Sequence, residues 1–160
     1  MAVVRIAVGS DHAGFDLKGQ LAAHLVEAGH EIEDLGTHGR ASVDYPDFGA
    51  AVARAVASGS AELGVACCGT GIGISIAANK VRGVRAAVVH DVSSARLARA
   101  HNDANVVCFG SRLLGPVVAI DALDAFLAAR FEGGRHLQRI DKIAALEDGA
   151  VAAAAGGSQR

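Results

Sequence analysis

The chain has no tryptophan, one tyrosine and only 4% aromatic residues, so it lacks the flat side chains on which bound bases stack. It has no surplus of positive charge either. Fifteen lysines and arginines face 17 acidic residues, for a net charge of -2, and no basic stripe stands out. Nucleic acid is therefore not an expected partner. No apolar stretch is long enough to span a bilayer, so no membrane association is expected. The amino-terminal apolar run is broken by Arg5 and followed by Asp11 and His12, which does not fit a signal peptide and points to the cytoplasm. Cysteine is scarce and odd in number: Cys67, Cys68 and Cys108, with no C-x-x-C pair. That excludes a disulfide framework. The seven histidines include no H-x-x-x-H pair, so no structural metal site is expected.

What is present is a chain of 160 residues, 51% of them hydrophobic. That length suits one domain burying about two-thirds of its unfolded surface. Short apolar runs alternate with helical spacing. Strands are expected at Val4–Val8, Glu31–Leu35, Leu63–Cys67, Val84–Val89 and Asn105–Phe109. Between them, a helix is expected from Phe15 to a stop at Gly29, and another from about Pro46 to Gly59. Others start at Ile72 and span Ser93–His101, and Val117–Phe131 and Arg135–Leu146 follow the last strand. Five such alternations predict an α/β fold, a three-layer α/β/α Rossmann-like domain with a five-stranded parallel sheet. The domain is expected over residues 1–149, with a disordered tail at 150–160.

Ligands of open parallel sheets bind at the carboxyl ends of strands. Glycines, hydroxyls and charges concentrate there, most densely in Cys67-Cys68-Gly69-Thr70-Gly71-Ile72-Gly73 after the third strand. Three alternate glycines ahead of a helix allow close backbone approach, and the unpaired first amides of a helix favour an anion. A dinucleotide fingerprint would need a glycine at Ile74 or Ile76, although Asp91 stands where a ribose-binding acid belongs, and no P-loop lysine is present. Cys68 ends the strand directly before this turn. A thiol in such a place serves as nucleophile or general base, or simply packs as a buried structural thiol. Cys67 faces the opposite side of the strand, and Cys108 reads as core. A redox role for the adjacent pair is disfavoured by the strain of a vicinal disulfide.

Six segments, GSDHAGFDLK, DYPDF, CGTGIGISIAANK, RAAVVHD, HNDANVVCFGSR and EGGRHLQRI, occur in the order and spacing that identify the chain as similar to the B-type ribose-5-phosphate isomerases. That family also holds galactose-6-phosphate and allose-6-phosphate isomerases. The resemblance spans about Val4 to Glu147. It implies aldose–ketose isomerisation of ribose 5-phosphate and ribulose 5-phosphate through an enediolate, without metal or cofactor. Cys68 matches the proton-transferring base. Members with serine there use a glutamate a few residues on, but this chain has Ile74 and Ser75 in that stretch. Thr70 matches the hydroxyl that orients the substrate oxygens, and the backbone of Gly69, Gly71, Ile72 and Gly73 the cradle around them. His101 matches the residue that opens the sugar ring, with Asn102 a substrate contact beside it. Asp11, His12 and Tyr45 match further substrate contacts, and His12, Arg112, Arg135 and Arg139 phosphate ligands. The resemblance also implies a homodimer, or a dimer of such dimers. In it, the partner supplies the segment holding His101, Asn102 and Arg112 to the thiol turn.

Taken alone, several of these residues have plainer uses. His101 suits a helix carboxyl terminus, Asp11 and His12 suit caps, and Arg135 with Arg139 suits a solvated helical face. His24, His30, His38, His90 and His136 are left as surface or structural. Other substrates of the same chemistry are a tetrose or tetrulose 4-phosphate, allose 6-phosphate and galactose 6-phosphate, with the Thr37–Asp44 loop helping to set pocket length. A non-catalytic nucleotide-binding module is the alternative from a different class.

Overall fold

A computed structural model describes residues 2–149. The expected disordered tail lies outside them. The chain runs β1 (Arg5–Ser10), α1 (Phe15–Glu27), β2 (Glu31–Asp34), α2 (Tyr45–Ser58), β3 (Leu63–Cys68), α3 (Ile72–Ala78), β4 (Ala86–Val88), α4 (Val92–Asn102), β5 (Val106–Gly110), α5 (Pro116–Ala128) and α6 (Arg135–Leu146). All four strand pairings are parallel, in the order β2-β1-β3-β5-β4.

Alternate residues of the central strands feed two separate cores, as the period of two requires. On one face Ile6, Val8, Val65, Cys67, Val107 and Phe109 pack against Leu17, Leu21 and Leu25 of α1, Ala95 and Ala98 of α4, and Leu123 and Phe126 of α5. On the other, Ala7, Ala66, Cys68, Val106 and Cys108 pack against Val52 and Ala53 of α2 and Ile74 and Ala78 of α3. Small residues dominate the second face and let α2 lie close. A Cβ on Gly64 would come within 2.6 Å of Val52. Each fully buried leucine or phenylalanine contributes about 1.5–3 kcal/mol, so the larger first core carries most of the hydrophobic stabilisation.

The expected elements all form, with shifted ends. β4 is three residues rather than six because it is an edge strand paired only with β5. α1 stops at Glu27, where Gly29 turns the chain at φ +89° and His30 N–H donates to Leu25 O. α5 stops at Ala128, since Ala129 is extended at ψ 152°.

The chain winds from β1 outward to β2, then returns to β3 and winds the other way. The reversal falls between β1 and β3, and a crevice at their carboxyl ends is the place for a ligand. The register Ser10 opposite Cys67 and Cys68 opposite Gly110 brings the segments after β1, β3 and β5 together there.

Candidate active site

Backbone hydrogen bonds fasten these three segments. Asp11 N–H donates to Cys67 O at 3.3 Å, and Ser111 N–H donates to Cys68 O at 2.9 Å. Arg112 N–H donates to Gly69 O at 3.0 Å, and the Ser111 hydroxyl donates to Ala13 O at 2.7 Å. The turn itself requires its glycines. Gly71 adopts φ +77°, and a Cβ there would lie 2.9 Å from the Phe109 carbonyl carbon. A Cβ on Gly73 would lie 2.6 Å from the Tyr45 ring, so that bare backbone is what lets the ring lie on the turn.

Within this frame Cys67 and Cys68 part company. Cys67 lies wholly in the first core, and burial, then the neighbouring Cys68, push its thiol above the ordinary range. Burial pushes the Cys108 thiol up as well. Both are therefore protonated packing groups. Cys68 lies on the other face, at the rim, and its sulfur accepts the Gly71 N–H at 3.1 Å. That donor fixes the direction of the sulfur. Opposite faces also separate the two thiols, which removes the ground for a redox pair.

The Thr70 hydroxyl oxygen accepts the Ile72 N–H at 3.2 Å. Asp11 is buried and its carboxylate accepts the Gly14 N–H at 2.9 Å. Instead of capping a helix, His12 joins the next loop, where Val43 N–H donates to its Nδ1 at 3.2 Å. That loop is anchored further by Lys18, whose buried ammonium donates to Asp34 at 2.6 Å and to Thr37 O at 2.8 Å. Asp11, His12, Tyr45, Cys68, Thr70, the 69–73 backbone and Arg112 are thus assembled by one chain. The Gly71 and Ile72 amides point at Cys68 and Thr70 respectively, not into an empty cradle. Asp91 is no ribose ligand: it caps α4, accepting the Ser94 N–H at 2.7 Å in a reciprocal capping box.

The remaining residues lie elsewhere. α4 starts beside the carboxyl end of β4 and carries the chain about 15 Å back toward the amino ends of the strands, where His101 and Asn102 form its last turn. Arg112, expected to accompany them, stays on its own chain's thiol turn because it follows β5, which pairs with β3. His101 instead meets α6. Its ring stacks on His136 at 4.2 Å with 11° between planes, and Glu132 Oε2 lies 3.7 Å from Nε2 of both rings. Arg135 and Arg139 are exposed on the first turns of the same helix. Glu132 and His136 are the residues that sequence reasoning missed. The four-residue spacing from Glu132 to His136 was visible, but their meeting with His101 is tertiary.

His101, Glu132 and His136 offer donor atoms within 4.8 Å of one another, yet they fit a cation poorly. Near-parallel rings aim their nitrogens side by side instead of converging, and Arg135 and Arg139 add positive charge next to them.

The ribose/galactose isomerase family model matches residues 6–143. The chain belongs to the ribose/galactose isomerase family. It is 52% identical over 143 residues to the ribose-5-phosphate isomerase B of Escherichia coli, a match covering 89% of this chain and 96% of that one. The solved ribose-5-phosphate isomerase B of Clostridium thermocellum superposes with a TM-score of 0.90 at 52% identity, covering 91% and 98%. That of Mycoplasma genitalium, solved with bound ribulose-5-phosphate, gives 0.88 at 45% identity, covering 91% and 97%. This family membership agrees with the five-stranded parallel α/β architecture.

Proposed function

We propose that this chain interconverts ribose 5-phosphate and ribulose 5-phosphate, with Cys68 as the base. The observation that carries this reading is the Cys68 sulfur held at the switch-point crevice by the Gly71 N–H at 3.1 Å, beside the Thr70 hydroxyl. In the open-chain aldose, the thiolate takes the proton from C2 while the C1 carbonyl oxygen becomes the enediolate oxygen. The thiol then returns the proton to C1, and O2 becomes the ketone as its own proton passes to O1, which becomes the C1 hydroxyl. One base on one face of the substrate suffices for both transfers. The Thr70 hydroxyl and the turn's amides other than those of Gly71 and Ile72 stabilise the developing charge, and one such donor is worth about 3 kcal/mol.

The site assembled by one chain is incomplete for this reaction. It has a base and one exposed arginine, Arg112, and its histidine, His12, has Nδ1 engaged by the Val43 N–H and is read as a phosphate ligand, which leaves the opening of a furanose unassigned. His101 has that chemistry, and it stands with Asn102, Arg135 and Arg139 at the other end of the fold. A second copy of the chain supplies them, which makes the working unit a homodimer with two shared sites. The paired guanidiniums of Arg135 and Arg139, with His12 and Arg112, hold the phosphate. Among the described residues no helix is long and apolar enough to cross a membrane. A charged sugar phosphate is retained inside the cell, so the cytoplasm is the proposed place of work.

A comparison of kcat/KM across ribose 5-phosphate, erythrose 4-phosphate, allose 6-phosphate and galactose 6-phosphate tests the substrate. Ribose 5-phosphate is expected to rank first. A higher value for a hexose 6-phosphate would reassign it. Tight binding of NAD or ATP with no isomerase activity would overturn the whole reading.

A further inference from the structure

His101 is the penultimate residue of α4, a place where helices fray and side chains keep their rotamer freedom. It is nonetheless held on two sides. His136 covers one face of its ring at 4.2 Å, and Glu132 lies beside the edge that carries Nε2. The holding groups are themselves fixed. Glu132 N–H donates to Ala100 O at 2.9 Å, which ties this turn to the end of α4, and His136 N–H donates to Gly133 O at 3.0 Å. The His136 side chain is 8% exposed, against 35% for His101. This is more construction than a solvent-facing helix end needs.

We propose that Glu132 and His136 are positioning residues that fix the ring of His101 for opening the furanose of the substrate. The inference rests on the reading of His101 as the ring-opening group. Opening breaks the C1–O4 bond, delivers a proton to O4 and removes the O1 proton, leaving the C1 aldehyde. The group that moves the proton must present one nitrogen in a fixed direction.

Two stacked imidazoles do not both carry charge easily. Burial, then the charges of His101 and Arg135, holds His136 below the ordinary histidine value, with Arg139 acting the same way and Glu132 opposing. His136 is thus the neutral member, an apolar face for stacking. The Glu132 carboxylate, 3.7 Å from Nε2, is too distant for a direct hydrogen bond. It acts by charge, partly offsetting Arg135 and Arg139. The same turn begins α6, so the ring-opening histidine and the phosphate arginines form one rigid unit.

Ribulose 5-phosphate separates ring opening from proton transfer. Its C5 oxygen carries the phosphate, so it cannot close a furanose, and exchange of its C1 hydrogen with solvent deuterium needs only the thiol turn. Two rates are compared in the full-length protein: turnover of ribose 5-phosphate, and C1 exchange of ribulose 5-phosphate. Glu132→Gln and His136→Gln are expected to slow turnover about tenfold and leave exchange within about twofold of the parent. His101→Asn is expected to show the same split, larger, and Cys68→Ala to lose both rates. A split for His101→Asn with none for either Glu132→Gln or His136→Gln overturns this inference alone. No split for His101→Asn overturns the assignment of His101 and the inference with it. Equal slowing of both rates in Glu132→Gln would mean that the turn serves the phosphate and not His101. Glu132 is exposed, so its variant is expected to fold normally.

Discussion

At the carboxyl end of the sheet, Cys68, Thr70 and Arg112 are placed by backbone: strand register, a left-handed glycine and carbonyls that tie the post-strand segments together. At the opposite end, His101 is placed by side chains, a stacked ring and a carboxylate from another helix. On the proposed reading the first end holds the base, and the second holds the ring-opening acid and a pair of arginines. On that reading neither end alone suffices for a cyclic sugar phosphate, and the helix between them keeps the two ends of one chain apart. We infer from this difference that the proton-transfer half is assembled within one chain, whereas the ring-opening half is lent to another copy.

The largest effect that would sharpen this contrast is at the base itself. Cys68→Ala is expected to lower isomerisation by about a thousandfold while phosphate binding survives, measured by turnover and by inorganic phosphate affinity. Next is the backbone that holds it. Gly71→Ala forces an L side chain into φ +77° against the Phe109 backbone, and is expected to cost about 2 kcal/mol of stability along with activity. Denaturant unfolding and turnover check the two together. Cys67→Ala should change only stability, by about 1 kcal/mol, with turnover retained; a dead Cys67→Ala would break the division between the two strand faces.

The smallest effect concerns the opposite end. The folded value of His136 lies below its ordinary 6.5, so the unfolded chain takes up its proton first as the solution is acidified. The contribution of this group is present above that ordinary value and is lost as pH falls from there toward the depressed one. Tm measured between neutral and mildly acid pH should fall further for the parent than for His136→Asn.

Much of the first end was legible in the sequence because backbone demands leave local marks. Alternate glycines at 69, 71 and 73 mark a turn of close approach, and neighbouring cysteines on a strand must face opposite ways. The strand–helix alternation fixed the layers, but not the length of β4, which depends on its having a neighbour on only one side. The second end was legible only in part. His101 was recognisable by family likeness, but nothing adjacent in the chain announces that Glu132 and His136 will meet it. Arg112 was grouped with His101 by that likeness; strand pairing, which the local pattern does not encode, keeps it with Gly69. The sharing of the site between copies came from the likeness as well, since periodicity says nothing of partners.

Mixing two inactive proteins tests the shared site most directly. Cys68→Ala and His101→Asn are unfolded together, refolded and assayed on ribose 5-phosphate. If each site takes its thiol from one copy and its histidine from the other, every mixed dimer regains one complete site, and activity returns to about a quarter of the parent's. A mixture no more active than its two components would contradict the account.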